Sequence, residues 1–316
     1  MYFEKIAPVS SALEENVSRA VFGKNEKIKL IVCALICGGH VLLDDIPGTG
    51  KTTLCKALAK SVDASFRRVQ FTPDLLPSDI TGINFFNQKT QSFEFRPGPI
   101  FADIILADEI NRTTPRTQSA LLECMEERQT TVDGETHPLS GMFFVIATQN
   151  PIESQGVFPL PQAQIDRFLM RLSLGYPARA QEKRVLDEYM TVSPLDSLTP
   201  AATAEKILEA RKAARRITVS DAIKDYIIAL AEATRTADSV RLGVSTRGAL
   251  QLMRAAQVRA GSDGRDFVIP DDVKAVAAPV LAHRIIPRSQ STIRAGDTGE
   301  NIISLLLDTV PAPISG

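Results

Sequence analysis

The sequence predicts an α/β domain built on a five-stranded parallel sheet, followed by a smaller all-α domain. Between residues 41 and 174, short apolar runs alternate with helical stretches, which is typical of a parallel sheet with helices on both faces. After residue 176 the chain is Ala-rich with helical periodicity and carries no convincing strand pattern. We therefore divide the 316 residues into domains at 1–176 and 177–316, each long enough to bury its own core.

The predicted strands read mostly as continuous apolar runs, as strands buried on both faces of a parallel sheet do. They cover residues 41–43, 66–70, 104–107, 143–147 and 168–174. In the second domain, Ser220 is a candidate helix N-cap, and Pro270 stands at a first helical position ahead of two aspartates. The helices predicted there cover residues 178–190, 203–215, 220–234, 246–260 and 270–283.

The charge balance is that of an ordinary globular protein, with 36 Lys and Arg against 37 Asp and Glu. A net charge of −1 gives no broad attraction to nucleic acid or to anionic membranes. The apolar stretch at residues 28–41 is interrupted and too short to span a bilayer, and residues 1–11 do not resemble a signal peptide. We therefore expect no membrane insertion and a cytoplasmic protein, with its four cysteines as buried free thiols.

A phosphate-binding loop is predicted at residues 45–52, which read DIPGTGKT between a predicted strand and a helix over residues 54–61. In such a loop the backbone N–H groups wrap a triphosphate, helped by the positive end of the helix dipole. Lys51 would reach the β- and γ-phosphates, and the Thr52 hydroxyl would ligate Mg²⁺. The residues predicted to bind ATP are Asp45, Pro47, Gly48, Thr49, Gly50, Lys51, Thr52 and Thr53.

The loop departs from the usual pattern at its first position, where Asp45 replaces a glycine. Aspartate tolerates unusual backbone angles better than most residues, so we expect the loop to form with this carboxylate turned away from the phosphates. On that interpretation, Asp45→Gly has little effect on turnover. A glycine-rich turn before a helix, without any ligand, is the alternative interpretation of residues 45–52 as a whole.

Two adjacent carboxylates, Asp108 and Glu109, end the apolar run at residues 104–107. Ligands of parallel α/β sheets bind at the carboxyl ends of strands, and neighbouring acids there are costly without a cation or solvent. We expect Asp108 to hold Mg²⁺ through its water shell and Glu109 to polarise an attacking water. A solvated acidic turn remains the alternative.

Several segments together resemble the MoxR family of AAA+ ATPases, in the clade that carries a helix-2 insert. Residues 108–112 (DEINR) and 117–127 (TQSALLECMEE) resemble its Walker B segment and following helix. The other matching motifs are FTPDLLPSDITG at 71–82, RPGPIF at 96–101, ATQNP at 147–151 and PLPQAQIDRF at 159–168. The resemblance covers roughly residues 22–283 and implies a P-loop AAA+ core followed by a helical lid.

The resemblance also implies roles for three further residues. Asn150 matches sensor 1, which contacts the γ-phosphate or the attacking water, although an Asn before Pro is more often a turn residue. Arg167 matches the arginine finger that reaches a neighbouring subunit's nucleotide, and its alternative is a surface salt bridge to Asp166 or Glu153. Arg247 matches sensor 2 at the start of a lid helix, where a solvated arginine is the alternative.

Two segments resemble insertions that set this clade apart. Residues of about 70–100 carry a predicted hairpin, with strands at 83–86 and 93–95, and resemble the helix-2 insert. Residues of about 128–140 read as a second hairpin with a type I′ turn at Asp133-Gly134 and resemble the pre-sensor-1 hairpin. In the family these elements face the pore or upper surface of a ring, whereas a passive edge hairpin is the alternative.

The resemblance implies a ring-shaped homo-oligomer, with a hexamer expected, that uses ATP and Mg²⁺ to remodel, activate or assemble client proteins. Such ATPases commonly act with a partner that has a von Willebrand factor A domain. One alternative is a nucleotide-dependent scaffold with little turnover, against which Glu109, Asn150 and Arg167 argue. Another is a DNA-remodelling ATPase, which salt-dependent stimulation of ATP hydrolysis by nucleic acid would distinguish.

Overall fold

The central element is a five-stranded parallel sheet. A computed structural model describes residues 1–151, 156–190, 193–288 and 298–313 of the chain. The sheet strands lie within one or two residues of the predicted bounds, except that the last is shorter than the predicted 168–174. They are β1 (Val41–Asp44), β2 (Phe66–Gln70), β5 (Ile104–Asp108), β8 (Phe144–Gln149) and β9 (Met170–Leu172). Their order across the sheet is β2-β5-β8-β1-β9.

Both faces of the sheet are buried, which explains why its strands read as continuous apolar runs. Along β5, for example, Leu106 belongs to one hydrophobic cluster and Ile105 to a second cluster on the opposite face. Leu43 and Leu42 of β1 divide between the two clusters in the same way. Because successive side chains of a strand point to opposite faces, each strand contributes to both cores.

The helices confirm an α/β core followed by a helical region. Ser220 caps its helix as predicted, accepting a hydrogen bond from the N–H of Ile223 at 3.4 Å, and Pro270 is the first residue of its helix. The helices of the core are α1 (Ala7–Ser18), α2 (Asn25–Cys37), α3 (Lys51–Ser61), α4 (Pro77–Thr81), α5 (Pro115–Glu127) and α6 (Gln162–Ile165). Those that follow the sheet are α7 (Arg179–Tyr189), α8 (Ala204–Ala214), α9 (Asp221–Thr236), α10 (Thr246–Ser262), α11 (Pro270–Leu281) and α12 (Gly299–Thr309).

Hydrophobic packing continues from the sheet into the helical region. One hydrophobic cluster runs from Ile6 in the first helical turns, through the sheet, to Ile303 in α12. The helical region also contains a short antiparallel pair that the sequence pattern did not predict, formed by β10 (Val240–Leu242) and β11 (Ile286–Pro287). The cluster has members on both sides of the predicted division at residues 176 and 177, which stays a prediction.

Both predicted hairpins form, and they pack against each other. The first pairs β3 (Gly82–Asn87) with β4 (Ser92–Pro97), and the second pairs β6 (Gln129–Val132) with β7 (Glu135–Pro138). Positive φ angles at both Asp133 (+51°) and Gly134 (+86°) agree with the predicted type I′ turn. The Phe95 and His137 rings stack at 3.9 Å between centroids, so the two hairpins form one surface element.

Buried single residues fix the amino edge of the sheet. His40 precedes β1, and its Nδ1 accepts a hydrogen bond from the N–H of Val145 at 3.0 Å while Nε2 contacts the Met125 carbonyl at 3.1 Å. Burial, followed by the charge of Arg128, lowers the pKa of His40 to about 3, so the ring is neutral at physiological pH.

All four cysteines are free thiols. None of the helices described has the length and apolar character needed to cross a membrane.

Candidate active site

The phosphate loop connects β1 to α3, so its glycines stand at the N-terminus of an 11-residue helix. Gly48 and Gly50 have φ angles of +83° and +88°, in the left-handed region that favours glycine. A Cβ added at either position would meet no atom within 4 Å, so the space beside both glycines is open to a ligand. Because N–H groups in the first turn of a helix have no partner within it, this space favours an anion.

Lys51 begins α3, and its ammonium group turns back over the loop. Nζ donates hydrogen bonds to the carbonyl oxygens of Asp45 at 3.0 Å and Ile46 at 3.2 Å. Thr49 Oγ1 donates to the same Ile46 carbonyl at 3.3 Å, which closes the loop on itself. The ammonium group is therefore held at the loop, where it can exchange two carbonyl oxygens for phosphate oxygens.

Asp45 has a structural contact that the sequence did not reveal. Its carboxylate is turned from the loop's open side, as expected, and the residue is only 3% exposed. Oδ1 accepts hydrogen bonds from Ser173 Oγ and the Gly175 N–H, both at 3.0 Å, and Oδ2 accepts one from the Leu174 N–H at 2.6 Å. The first residue of the phosphate loop thus anchors the segment that leaves β9 toward the helical region.

Lys24 holds the same segment from the other side. Its ammonium group donates to the carbonyl oxygens of residues 174, 175 and 176 at 2.7, 3.0 and 2.9 Å. Burial lowers the pKa of Lys24, whereas the nearby carboxylate of Asp45 acts in the opposite direction. The two charged side chains therefore clamp one short backbone segment between the sheet and the helical region.

The Asp45→Gly variant should consequently lose stability, an effect separate from the prediction that this substitution has little effect on turnover. Removing the carboxylate leaves two backbone N–H groups without their partner, and we expect a loss of roughly 2–4 kcal/mol in the free energy of unfolding. Urea denaturation measures this loss, with Asp238→Gly at an exposed position as the control. A change within about 0.5 kcal/mol, as at ordinary surface sites, would contradict the anchoring role.

Asp108, at the end of β5, presents a carboxylate suited to Mg²⁺. The residue is 8% exposed, and its Oδ1 accepts a hydrogen bond from Thr148 Oγ1 at 2.6 Å. Oδ2 binds the guanidinium of Arg68 at 2.6 and 3.1 Å, so this oxygen already has a cationic partner. With the Thr52 hydroxyl, the carboxylate supplies oxygen donors of the kind that Mg²⁺ takes together with water and phosphate. The residues present therefore fit the predicted metal.

Glu109 adopts a backbone conformation that few non-glycine residues take, with φ at +58°. Such a conformation costs on the order of 1 kcal/mol and is found preferentially at functional sites. The Glu109 N–H donates to Thr148 Oγ1 at 2.9 Å, so Thr148 orients both acids. Oε2 accepts a hydrogen bond from Gln70 Nε2 at 2.6 Å and lies 3.3 Å from Arg112 Nε. The carboxylate is thus held by side chains on both sides of it.

One cleft at the carboxyl edge of the sheet brings most of the predicted residues together. Because β8 lies between β1 and β5, Asn150 at the end of β8 stands between the phosphate loop and the two acids. Asn150 is 6% exposed. The residues lining the cleft are Pro47, Gly48, Gly50, Lys51, Thr52, Thr53, Arg68, Gln70, Asp108, Glu109 and Asn150.

Arg167 and Arg247 line a different cavity, at the amino edge of the sheet. This cavity, which we call the arginine cavity, has Arg128, Arg167, Arg247, Arg254 and Glu126 as its charged lining residues within the described chain. The alternative, a salt bridge from Arg167 to Asp166, is not formed, since the Asp166 carboxylate binds Arg284 Nε at 2.8 Å. The other candidate partner, Glu153, lies outside the described residues. Arg247 forms an ion pair with Glu126. The two arginines therefore lie in one cavity at the amino edge of the sheet, whereas the cleft of the same chain lies at the carboxyl edge.

Three residues of the site were not predicted from the sequence: Arg68 and Gln70, which line the cleft, and the buried Thr148, which binds both acids. Arg68 and Gln70 lie on β2, which pairs with β5 so that Gln70 is opposite Asp108. Their polar character in a predicted strand was the available signal, as was a hydroxyl at Thr148 directly after an apolar run. Each is placed beside the two acids only by the strand order, in which β2 and β8 lie on either side of β5.

Comparison with known proteins agrees with this geometry. Residues 40–170 match the ATPase family associated with various cellular activities (AAA), and residues 232–304 match the AAA lid domain. An uncharacterised Bacillus subtilis protein, YeaC, is 46% identical over 99% of this chain and 98% of its own length.

Relatives with a stated role are also similar over most of their length. Chaperone MoxR1 of Mycobacterium tuberculosis is 38% identical over 94% of this chain and 80% of its own length. The crystal structure of a candidate ATPase from Cytophaga hutchinsonii is 38% identical, superposes with a TM-score of 0.90, and covers 99% of this chain and 96% of that one. With a matching sheet, lid and sequence along nearly its whole length, the chain belongs to the MoxR family of AAA+ ATPases.

Proposed function

We propose that the chain binds and hydrolyses ATP as part of a ring of identical subunits, and uses the cycle to remodel client proteins. The observation that carries this proposal is the single cleft in which the phosphate loop, Asp108, Glu109 and Asn150 meet at the carboxyl edge of the sheet. A solvated turn or a structural acid pair would not need these groups to converge on one space. Their convergence supports phosphoryl transfer to water, giving ADP and phosphate.

Within the cleft, each group has a distinct part in the proposed reaction. The N–H groups of residues 48–52 and the Lys51 ammonium bind the phosphates and offset their charge. Thr52 and Asp108 would hold Mg²⁺ together with the nucleotide, and the ion would neutralise charge on the phosphates. Glu109 accepts a proton from the attacking water as general base, and Asn150 orients that water or the γ-phosphate.

Glu109 needs to be released before it can act. Its carboxylate accepts a hydrogen bond from Gln70 and lies near Arg112, so these two side chains compete with water for its oxygens. Rotation away from Gln70 would point the carboxylate into the cleft that it already lines. The proposed active site is therefore assembled but held in a resting arrangement.

The placement of Arg167 and Arg247 supports a ring. Both line the arginine cavity at the amino edge, whereas the nucleotide cleft of the same chain opens at the carboxyl edge. We propose that both arginines act on the ATP of a neighbouring subunit, so that each active site is completed by two chains. A closed ring, with six subunits expected, gives every cleft such a neighbour.

The client role is proposed by analogy. A relative that is 38% identical over 94% of this chain is named a chaperone, which supports activation or assembly of client proteins. The two joined hairpins present the aromatic side chains of Phe86 and Phe93, which are 48% and 74% exposed, for contact with a client. We also propose that the chain acts with a partner that has a von Willebrand factor A domain, and that it is cytoplasmic.

Lys51→Ala tests nucleotide binding itself. Because the loop loses the charge that offsets the terminal phosphates, we expect the Kd for ATP to rise by much more than tenfold, the change that ~1.4 kcal/mol produces. Binding of a fluorescent ATP analogue measures it, and Lys56→Ala, an exposed lysine of the same helix, is the matched control. An affinity within about threefold of wild type would show that residues 45–52 do not bind the phosphates.

A further inference from the structure

The residues that line the arginine cavity carry more positive charge than negative charge. Four arginines line it, and among the described lining residues Glu126 is the one carboxylate. Like charges that share a small space repel each other unless an anion joins them. The cavity volume of about 170 Å³ is below that of most small-molecule sites, so it suits the end of a phosphate chain rather than a whole nucleotide.

One of the four arginines is part of the protein framework. The Arg128 guanidinium donates hydrogen bonds to the carbonyl oxygens of Gly38 and Phe143. Burial, with a smaller effect from Arg215, lowers the pKa of Arg128. Its donors are directed into the protein, which leaves Arg167, Arg247 and Arg254 as the groups able to meet a ligand.

Arg254 lies on the same face of α10 as Arg247, because seven residues make two helical turns. The backbone at this point is fixed against α2, since Cys37 Sγ donates to the Arg254 carbonyl at 3.4 Å. Among the arginines of α10, Arg247 pairs with Glu126 and Arg259 pairs with Asp263. Arg254 is exposed, and no carboxylate of the described residues lies within ion-pair distance of it.

Glu126 forms an ion pair with Arg247 at the position where a phosphate group could bind instead. It lies near the end of α5, the helix that follows the Asp108 and Glu109 loop, and it reaches across to the first turn of α10. Both side chains of the pair are 39% exposed. Ion pairs this exposed are weak, so a phosphate group that carries more charge can displace Glu126.

We propose that Arg254 is a third arginine that binds the terminal phosphates of ATP held by a second copy of the chain, and that Glu126 holds Arg247 until those phosphates arrive. This inference rests on the proposed ring. The ligand belongs to a second copy because the chain's own nucleotide cleft lies at the opposite edge of the sheet. Guanidinium groups bind phosphate oxygens through paired hydrogen bonds, which three converging arginines can supply.

The test measures assembly rather than turnover. Every variant is made in a Glu109→Gln background so that ATP stays intact, and sedimentation velocity with Mg²⁺ and ATP gives the dissociation constant for self-association. Arg254→Gln should weaken assembly by about three- to tenfold, whereas its matched control on the same helix, Arg259→Gln, should leave it unchanged.

Glu126→Gln should strengthen assembly by about two- to fivefold, because it frees Arg247 and leaves the contact of Arg247 with the phosphates unchanged. Glu123→Gln, on the exposed side of the same helix, is its control. The gain should vanish when Arg247→Gln is added, since Glu126 then has nothing to release.

The outcomes separate this inference from the proposed function. Equal assembly of the Arg254→Gln and Arg259→Gln proteins would overturn the role of Arg254. A gain in Glu126→Gln that persists without Arg247, or no gain at all, would overturn the role of Glu126. In both cases ATP-dependent assembly of the parent protein would still support the ring. Absence of assembly in the parent itself would overturn the ring and this inference together.

Discussion

Replacing Glu109 with Gln is expected to reduce ATP turnover by about 10²- to 10⁴-fold while ATP still binds. The amide fills the same space as the carboxylate but cannot accept a proton from the attacking water. Its hydrogen bond with Gln70 can persist, so the backbone of this strained position should keep its conformation. Steady-state phosphate release and ATP binding, measured on the same preparation, separate the two effects.

The control for this prediction is Glu123→Gln, which alters an exposed acid on the helix that follows the same loop. It should turn over ATP at the wild-type rate. Wild-type turnover in the Glu109→Gln protein would remove Glu109 from the reaction. Loss of ATP binding in that protein would instead indicate that the carboxylate supports the cleft structurally.

The Arg167→Ala protein is expected to bind ATP almost normally and to hydrolyse it about 10³- to 10⁵-fold more slowly, the range observed for arginine fingers. Arg167 lines the arginine cavity and not the cleft of its own chain, so its loss should leave phosphate binding intact. Arg241→Ala, an exposed arginine of β10, is the control and should be active. Full turnover by Arg167→Ala would show that one chain holds a complete active site.

Mixing two inactive proteins extends this prediction. Arg167→Ala subunits keep an intact phosphate loop, and Lys51→Ala subunits keep an intact arginine. A mixed interface can therefore contain both groups, and we expect some activity to return on mixing. The restored rate should depend on the ratio of the two proteins and should peak at intermediate mixtures.

Local sequence was sufficient to predict the structural features whose contacts come from their immediate neighbours. The strand, glycine loop and helix around Lys51 lie within some twenty consecutive residues, and Glu109 directly follows its apolar strand. The turn at Asp133 and Gly134 is likewise encoded by two adjacent residues with positive φ angles. Such features need no knowledge of the tertiary fold, because the same short segment supplies all the contacts.

Contacts between distant segments could not be predicted in this way. The partners of the Asp45 carboxylate lie 128 to 130 residues further along the chain, so a residue that seemed replaceable is an anchor. Arg68 and Gln70 became site residues only once β2 was known to pair with β5. The position of Arg247 depends on how α10 packs against α2, which no periodicity in the sequence specifies.

If each active site is made by two subunits, as proposed, specific activity must depend on protein concentration. ATP hydrolysis per subunit is measured across a dilution series, and the mass of the species present is determined at each concentration. We expect activity per subunit to fall as the assembly dissociates and to be lost in the monomer, where Arg167 has no neighbouring nucleotide to reach. Unchanged specific activity in a verified monomer would contradict it.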